Sequence, residues 1–260
     1  MLPIFIPSYR RSETICTHKF LEASGVKDYF VVVNDGEEAE RYRKNIAADK
    51  IIISNAPRTI GANRRWIQDE LAPTVHWYLM MDDRVQGATS LDYSTGNEKD
   101  ITAAEVMGIW DESFARADAI GAYLIGFATT DNKLFRRKHW QYHSLAMGKC
   151  GIALKGRTAL FDPSLVSRED YQITAENLLQ HGLVLRNNQV RFKVKHFEPG
   201  GIGPLGTRLE HMLRENKELM RRYPGLFRYN KKKSMPDKSE LIIRLTQQKQ
   251  IEEWRKRMRG

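Results

Sequence analysis

Cysteine is almost missing from this chain: Cys16 and Cys150 are the two in 260 residues, and they lie far apart in sequence. That rules out a disulfide framework and a cysteine-built metal cluster, and it implies a reducing, cytoplasmic setting. Long apolar runs are missing too. None approaches the roughly 20 residues that span a bilayer, so no membrane partner is expected. The opening Met1-Leu2-Pro3-Ile4-Phe5-Ile6-Pro7 is apolar, but it is too short for a signal peptide and has no basic leader. Neither a G-x-x-x-x-G-K-[ST] loop nor a G-x-G-x-x-G fingerprint occurs, which argues against ordinary P-loop NTPases and dinucleotide enzymes. Internal repeats and low-complexity segments are absent. What is there is a soluble globular composition, 41% hydrophobic, long enough for one large or two small domains.

Charge is nearly balanced over most of the chain and piled up at one end. Residues 221–260 carry thirteen Lys or Arg against four Asp or Glu, a net of +9 out of a total of +10, which leaves +1 for residues 1–220. The excess includes Arg221-Arg222, Lys231-Lys232-Lys233 and Arg255-Lys256-Arg257, interleaved with Tyr223, Phe227, Tyr229 and Trp254. Basic side chains release counterions from a phosphate backbone, and aromatic rings stack on bases. This end therefore reads as a basic helical extension, 221–260, that binds nucleic acid beside a main domain, 1–220. A solvated tail whose aromatics pack onto the core would have the same composition.

Strand and helix signals alternate. Pro3–Pro7, Tyr29–Val33, Ile51–Ile53 and Trp77–Met81 read as strands, the second rich in β-branched and aromatic residues. Helices are expected over Glu13–Ser24, near Glu37–Asn45, over Asn63–Glu70 after Gly61, and over Thr102–Ile120, where Thr102 and Glu105 have capping-box spacing. A further helix runs to Gln180-His181 and closes on Gly182. Such alternation predicts an α/β fold with a mixed, mainly parallel sheet flanked by helices.

The most informative stretch is His76–Gln86, where an apolar run ends abruptly in Asp82 and Asp83. Unpaired carboxylates are too costly inside a buried strand, so they belong at its carboxyl end, where the ligand crevice of open α/β sheets lies. Hard oxygen ligands there suit Mg²⁺ or Mn²⁺, although a plain turn or cap would use the same pair. Pro7, Ser8, Tyr9 and Arg10 lie at the end of the first strand and Asn34 and Asp35 at the end of the second, and both groups are placed to meet a nucleotide. Arg11, Arg58, Arg64 and Arg65 add guanidinium groups able to clamp a diphosphate. Downstream, Glu169 and Asp170 stand at a helix start, where they either cap it or receive an acceptor hydroxyl's proton. His196 precedes the glycine-rich Gly200–Gly206 and is a possible Mn²⁺ ligand.

In this order the pieces resemble a glycosyltransferase of the GT-A (Rossmann-like) fold. Ile6-Pro7-Ser8-Tyr9-Arg10, Val31–Gly36 and Gly61…Arg64 come first. Leu79-Met80-Met81-Asp82-Asp83 then stands in the place of the D-x-D motif, Phe161-Asp162…Glu169-Asp170 in that of the x-E-D motif, and His196 in that of a late histidine ligand. The resemblance spans roughly residues 3–200. It implies a nucleotide-sugar donor, a UDP-sugar first among them, and Mn²⁺ or Mg²⁺ held by Asp83 and His196. Asp82 would meet the ribose or support the metal, Asp35 the base, and Arg64 the diphosphate. Glu169 or Asp170 would serve the acceptor, with Asp170 the closer match to the general base. Met81 and Asn34 depart from the pattern, since acidic residues often stand there. Size, basic tail and the Ile-Pro-Ser-Tyr-Arg opening look most like phage DNA-hypermodification glycosyltransferases of the TET-associated type. The implied partner is then double-stranded DNA bearing hydroxymethylated pyrimidines, inside an infected host cell; the alternatives are a GT-A enzyme acting on a saccharide or lipid acceptor and a non-catalytic nucleic-acid-binding protein. Trp140, Tyr142 and His143, after Lys133–Lys138, are candidates for gripping it or else core and cleft residues.

Overall fold

A computed structural model describes residues 2–72, 75–128, 130, 132–146, 151–156, 159–194, 205–230 and 240–259. The β–α alternation is present, with boundaries set by local chemistry. After β1 (Ile4–Pro7), α1 (Thr17–Glu22) is shorter than the sequence predicts. Next come β2 (Tyr29–Val33), α2 (Gly36–Tyr42), β3 (Ile51–Ile53), α3 (Ile60–Trp66) and β4 (Trp77–Met80). Gly61 lies inside α3 rather than before it, and a π-helical turn, Ile67–Leu71, prolongs that helix. The chain then makes an antiparallel pair, β5 (Val85–Leu91) and β6 (Glu98–Ile101). In α4 (Ala103–Ile120), Thr102 and Glu105 form the expected capping box, and Gly121 closes the helix at a φ of 71°.

Beyond it lie β7 (Leu124–Phe127), β8 (Trp140–Gln141), β9 (Ile152–Lys155), α5 (Glu169–His181), β10 (Leu185–Asn187) and β11 (Val190–Val194). The last elements are α6 (Leu205–Arg222), β12 (Phe227–Tyr229), β13 (Leu241–Ile243) and α7 (Gln248–Arg259).

The central sheet has eight strands in the order β3-β2-β1-β4-β9-β7-β10-β8. Six run in one direction, while β9 and β8 are antiparallel to their neighbours. This is the mixed, mainly parallel α/β sheet flanked by helices that the sequence predicts. A small sheet, β11-β5-β6, stands beside it.

Strand alternation divides the core into two layers. Ile4, Ile6, Val31, Val33, Trp77 and Leu79 face one side, where they pack with Trp110 of α4. Phe5, Val32, Tyr78 and Met80 face the other, against Ile173 and Leu178 of α5. Residues near the carboxyl end share that second layer: Leu219, Tyr223, Leu226, Phe227, Leu241, Ile251 and Trp254 are all buried in it. Three of the aromatics read above as possible base-stacking rings are thus core residues. Tyr223, Phe227 and Trp254 are at most 4% exposed and cannot meet a base. Hydrophobic burial, together with the bond from Trp254 Nε1 to the Pro224 carbonyl, decides their position. Lys231–Lys233 lie outside the described residues. Among the described residues no helix is long and apolar enough to cross a membrane.

Candidate active site

Parallel β1, β2 and β4 end at the same edge of the sheet, and the residues that follow them meet there. Asp82 and Asp83 come directly after Met81, the last fully buried apolar residue of that run. Their backbone is fixed by the start of α1: Cys16 N donates to the Asp83 carbonyl (3.0 Å) and Thr17 Oγ1 to that of Asp82 (2.5 Å). The two side chains diverge. Asp83 is buried, and both its oxygens have donors, Ser8 Oγ (2.6 Å) and Arg11 Nη1 (2.7 Å). Ser8 Oγ also contacts Tyr42 Oη at 2.6 Å, which ties α2 to the same network. Asp82 opens into a cavity of about 850 Å³, counted out to its mouth, and pairs with Arg64 Nη2 at 3.1 Å.

Pro7, Ser8, Tyr9, Asn34, Arg64, Asp82, Asp83 and Glu169 line this one cavity. With Arg11 and Arg58, which line it too, ten of the positions singled out in the sequence are therefore brought together. Arg10 and Asp35 line a smaller hollow next to it, with Tyr9 and Arg58 between the two. Asp35 caps α2 by accepting from Glu38 N at 2.9 Å, and it pairs with Arg58 at 2.9 Å. Those two bonds, the backbone one first, hold its carboxyl below the ordinary value. Arg10 sits at a φ of 53°, in the left-handed region that non-glycine residues seldom occupy, while its N–H donates to the buried Glu38 (2.9 Å). Asp170 does not reach the cavity wall. It is 7% exposed at the start of α5, where its Oδ1 accepts from Tyr171 N. His196 lies outside the described residues.

Arg64 organises the centre. Its guanidinium is 1% exposed, bridges Asp82 and Glu169 (3.1 and 3.2 Å) and lies 5.6 Å from the Phe161 ring. Burial pushes the Asp82 carboxyl up to about 8, Arg64 opposing it and the neighbouring carboxylates Asp83 and Glu169 adding to it. Burial likewise raises Glu169 well above the carboxylate range, against Arg64 and with help from Asp170. Three carboxylates thus share two guanidinium groups, and two of them are held short of full ionisation.

Sequence reasoning did not single out Thr59, Asn63, Ser167 or Glu215. Thr59 caps α3 and donates to the Pro163 carbonyl (2.8 Å), joining the two cavity walls. Glu215 of α6 accepts from Val166 N, Ser167 N and Ser167 Oγ, which fixes the wall before Glu169. Thr59 carries a local signal, a threonine N-cap three residues before Ala62, whereas nothing local marks Glu215, whose bonds link distant segments.

Residues 2–201 match the TET-associated glycosyltransferase family. The chain belongs to that family. It is an enzyme, a glycosyltransferase linked to modified DNA. A comparison with curated proteins finds no match. The glycosyltransferase's donor set suits a divalent cation of the hard-oxygen kind, which typically takes one or two carboxylates and completes its shell with substrate phosphates. Asp82 fits this best: it faces the cavity, and its raised carboxyl is one that a cation would relieve. Asp83 already gives both oxygens to Ser8 and Arg11. Among the described residues no group of three or more His, Cys, Asp or Glu converges on one point.

Proposed function

We propose that this glycosyltransferase moves a sugar from a nucleotide-sugar donor, UDP-sugars first among them, to the hydroxyl of a hydroxymethylated pyrimidine in duplex DNA, with Mg²⁺ or Mn²⁺ at the donor diphosphate. The observation that supports this reading is a single cavity in which Arg11, Arg58 and Arg64 stand opposite Asp82 and Glu169. Pro7, Ser8, Tyr9 and Asn34 form the wall for the nucleoside, with Asp35 and Arg10 beside it. Arg64 shares its charge with the diphosphate. Asp82, backed by Asp83, would hold the cation. When bound, that ion supplies positive charge that offsets charge on the departing nucleoside diphosphate.

Glu169 lines the cavity, and its raised carboxyl is suited to exchanging protons near neutral pH. It takes the acceptor hydroxyl's proton as that oxygen bonds to the anomeric carbon. The bond from that carbon to the diphosphate oxygen breaks, and its electron pair leaves with the nucleotide. Asp170 stands behind Glu169 and favours its proton-bearing form.

The test is intact-mass analysis of duplexes carrying 5-hydroxymethylcytosine, 5-hydroxymethyluracil or only unmodified bases, incubated with Mn²⁺ and a panel of nucleotide sugars. A sugar-sized gain confined to one hydroxymethylated base is expected. No gain on any DNA, alongside metal-dependent donor hydrolysis, would reject the DNA acceptor and leave saccharide or lipid acceptors.

A further inference from the structure

Among the described residues, two large apolar side chains are the most exposed of their kind, ahead of Tyr93 at 37%. Leu134 is 62% exposed and Phe135 67%, and they are adjacent, on a 3-10 turn over Lys133–Arg136. Nothing in the core requires them. The turn is nevertheless firmly built. Asn132 caps it by accepting from Leu134 N (2.9 Å), and Tyr93 Oη donates to the Arg136 carbonyl (2.9 Å). Arg136 is completely buried beneath the pair, and it donates to the carbonyls of Asn188 (2.9 Å) and Gln189 (2.8 Å) and to Glu98 (2.7 Å). Just after the turn, the His139 ring stacks between Tyr93 and Trp140, at 5.0 and 4.4 Å. The tip is therefore held in place before any partner arrives, so little ordering entropy is lost on contact.

Charge identifies the partner. Residues 132–146 contain four cations and no carboxylate, and three of those cations, Lys133, Arg137 and Lys138, are exposed around the apolar pair. An apolar wedge ringed by cations matches a nucleic-acid duplex, whose phosphates take the cations while the wedge enters a base step. Position agrees with this. The loop follows β7, which runs parallel to β4, so it leaves the sheet at the edge that carries Asp82 and Asp83. Its anchor Gln189 also bonds Leu91 N, at the far end of β5 from Val85. Six residue steps along β5 separate the two ends, about 20 Å at about 3.3 Å per residue. That is about six base pairs of duplex.

We propose that Leu134 and Phe135 form a wedge that inserts into duplex DNA about six base pairs to one side of the base presented to the cavity. The wedge kinks the duplex and fixes its register. The proposal rests on the DNA-acceptor reading above, and the experiment separates the two. Duplexes carrying the hydroxymethylated base and 2-aminopurine at successive flanking positions are bound by the wild type and by L134S/F135S. Affinity, 2-aminopurine fluorescence and donor hydrolysis are measured together.

A fluorescence rise is expected at steps about six base pairs away on one side, lost in the variant. Duplex binding should weaken about tenfold or more in the variant as the burial of two apolar side chains is lost, with donor hydrolysis unchanged. A variant that binds and unstacks like the wild type, while the wild type still glycosylates the duplex, overturns the wedge and leaves the DNA reading standing. If the wild type binds and modifies no duplex, both fall. Loss confined to binding of phosphatidylcholine–phosphatidylglycerol vesicles would assign the pair to a membrane surface and overturn the wedge.

Discussion

Gly61→Ala is an informative single change, because its sign separates local preference from packing. Gly61 is the second residue of α3 and donates its N–H to the Leu165 carbonyl at 3.1 Å. A Cβ there would come within 2.3 Å of the Asp162 carbonyl oxygen and 2.7 Å of the Leu165 one. Both are backbone atoms and cannot rotate away. Asp162 is further held by Gln172 and by an ion pair with Arg222, and Val166 and Ser167 by Glu215. Helix propensity alone favours alanine by about 1 kcal/mol. Overpacking costs about 1–3 kcal/mol, and the strained Gly61–Leu165 bond adds about 1. The net expectation is a loss of about 1–3 kcal/mol in urea unfolding. Arg64 and Glu169 sit on the two walls being forced apart, so donor hydrolysis should fall as well. Gly108→Ala is the matched control, since a Cβ at Gly108 in α4 meets nothing within 4 Å. It should stabilise by about 0.5–1 kcal/mol. If Gly61→Ala stabilised to the same degree, with donor hydrolysis unchanged, the close approach of α3 to residues 162–165 would be refuted.

Asp83→Ala removes the acceptor shared by Ser8 and Arg11, and sugar transfer should drop about a hundredfold or more while duplex binding in a gel shift is kept; undiminished turnover would contradict the assignment. Glu98 predicts an acid limb in stability. Burial opposes its ionisation, but bonds from Thr89 and Arg136 outweigh that and hold it at about 2, against an ordinary 4.5. Its contribution, about 3 kcal/mol, is complete above the unfolded value and lost as pH falls from about 5 toward 2. Glu98→Gln should flatten that limb in thermal melts and cost about 3 kcal/mol at neutral pH by stranding the buried Arg136. Trp254→Ala should cost about 3–5 kcal/mol in the same melts. An effect below about 1 kcal/mol would return this ring to the surface.

The edge of the molecule that carries the site was legible because its information is local. Runs such as Tyr29–Val33 and Trp77–Met80 announce buried strands, and abrupt polar residues mark where they end. Asn34, Asp82 and Ser8 could therefore be placed from strand ends alone. The Thr102 and Glu105 capping box and the Gly182 stop are likewise contained in a few neighbouring residues. What escaped is long-range. The antiparallel insertion of β9 between β4 and β7 and the β11-β5-β6 sheet depend on pairings between segments far apart in sequence. The choice of Glu169 over Asp170 for the cavity wall is a matter of which way a helix start is rotated, and adjacent residues do not reveal it. The tail misled through composition: the cations of residues 221–260 obscured the fact that Tyr223, Phe227 and Trp254 have apolar neighbours to join.

The far end of α5 has a consequence for how the enzyme comes into being. Glu169 begins this helix, and its final carbonyls, Leu179 and Gln180, are bound by Arg255 and Arg259, up to 80 residues further along. Cationic donors at a helix's last turn satisfy exposed carbonyls and complement its dipole. A ribosome that has finished every cavity residue has still not supplied the groups that close the helix bearing Glu169. Such contacts form late and slowly because so much chain must be ordered between them. Competence for catalysis therefore arrives with α7 rather than with the last cavity residue, and a nascent chain halted between them should hold the donor site in an unfinished state.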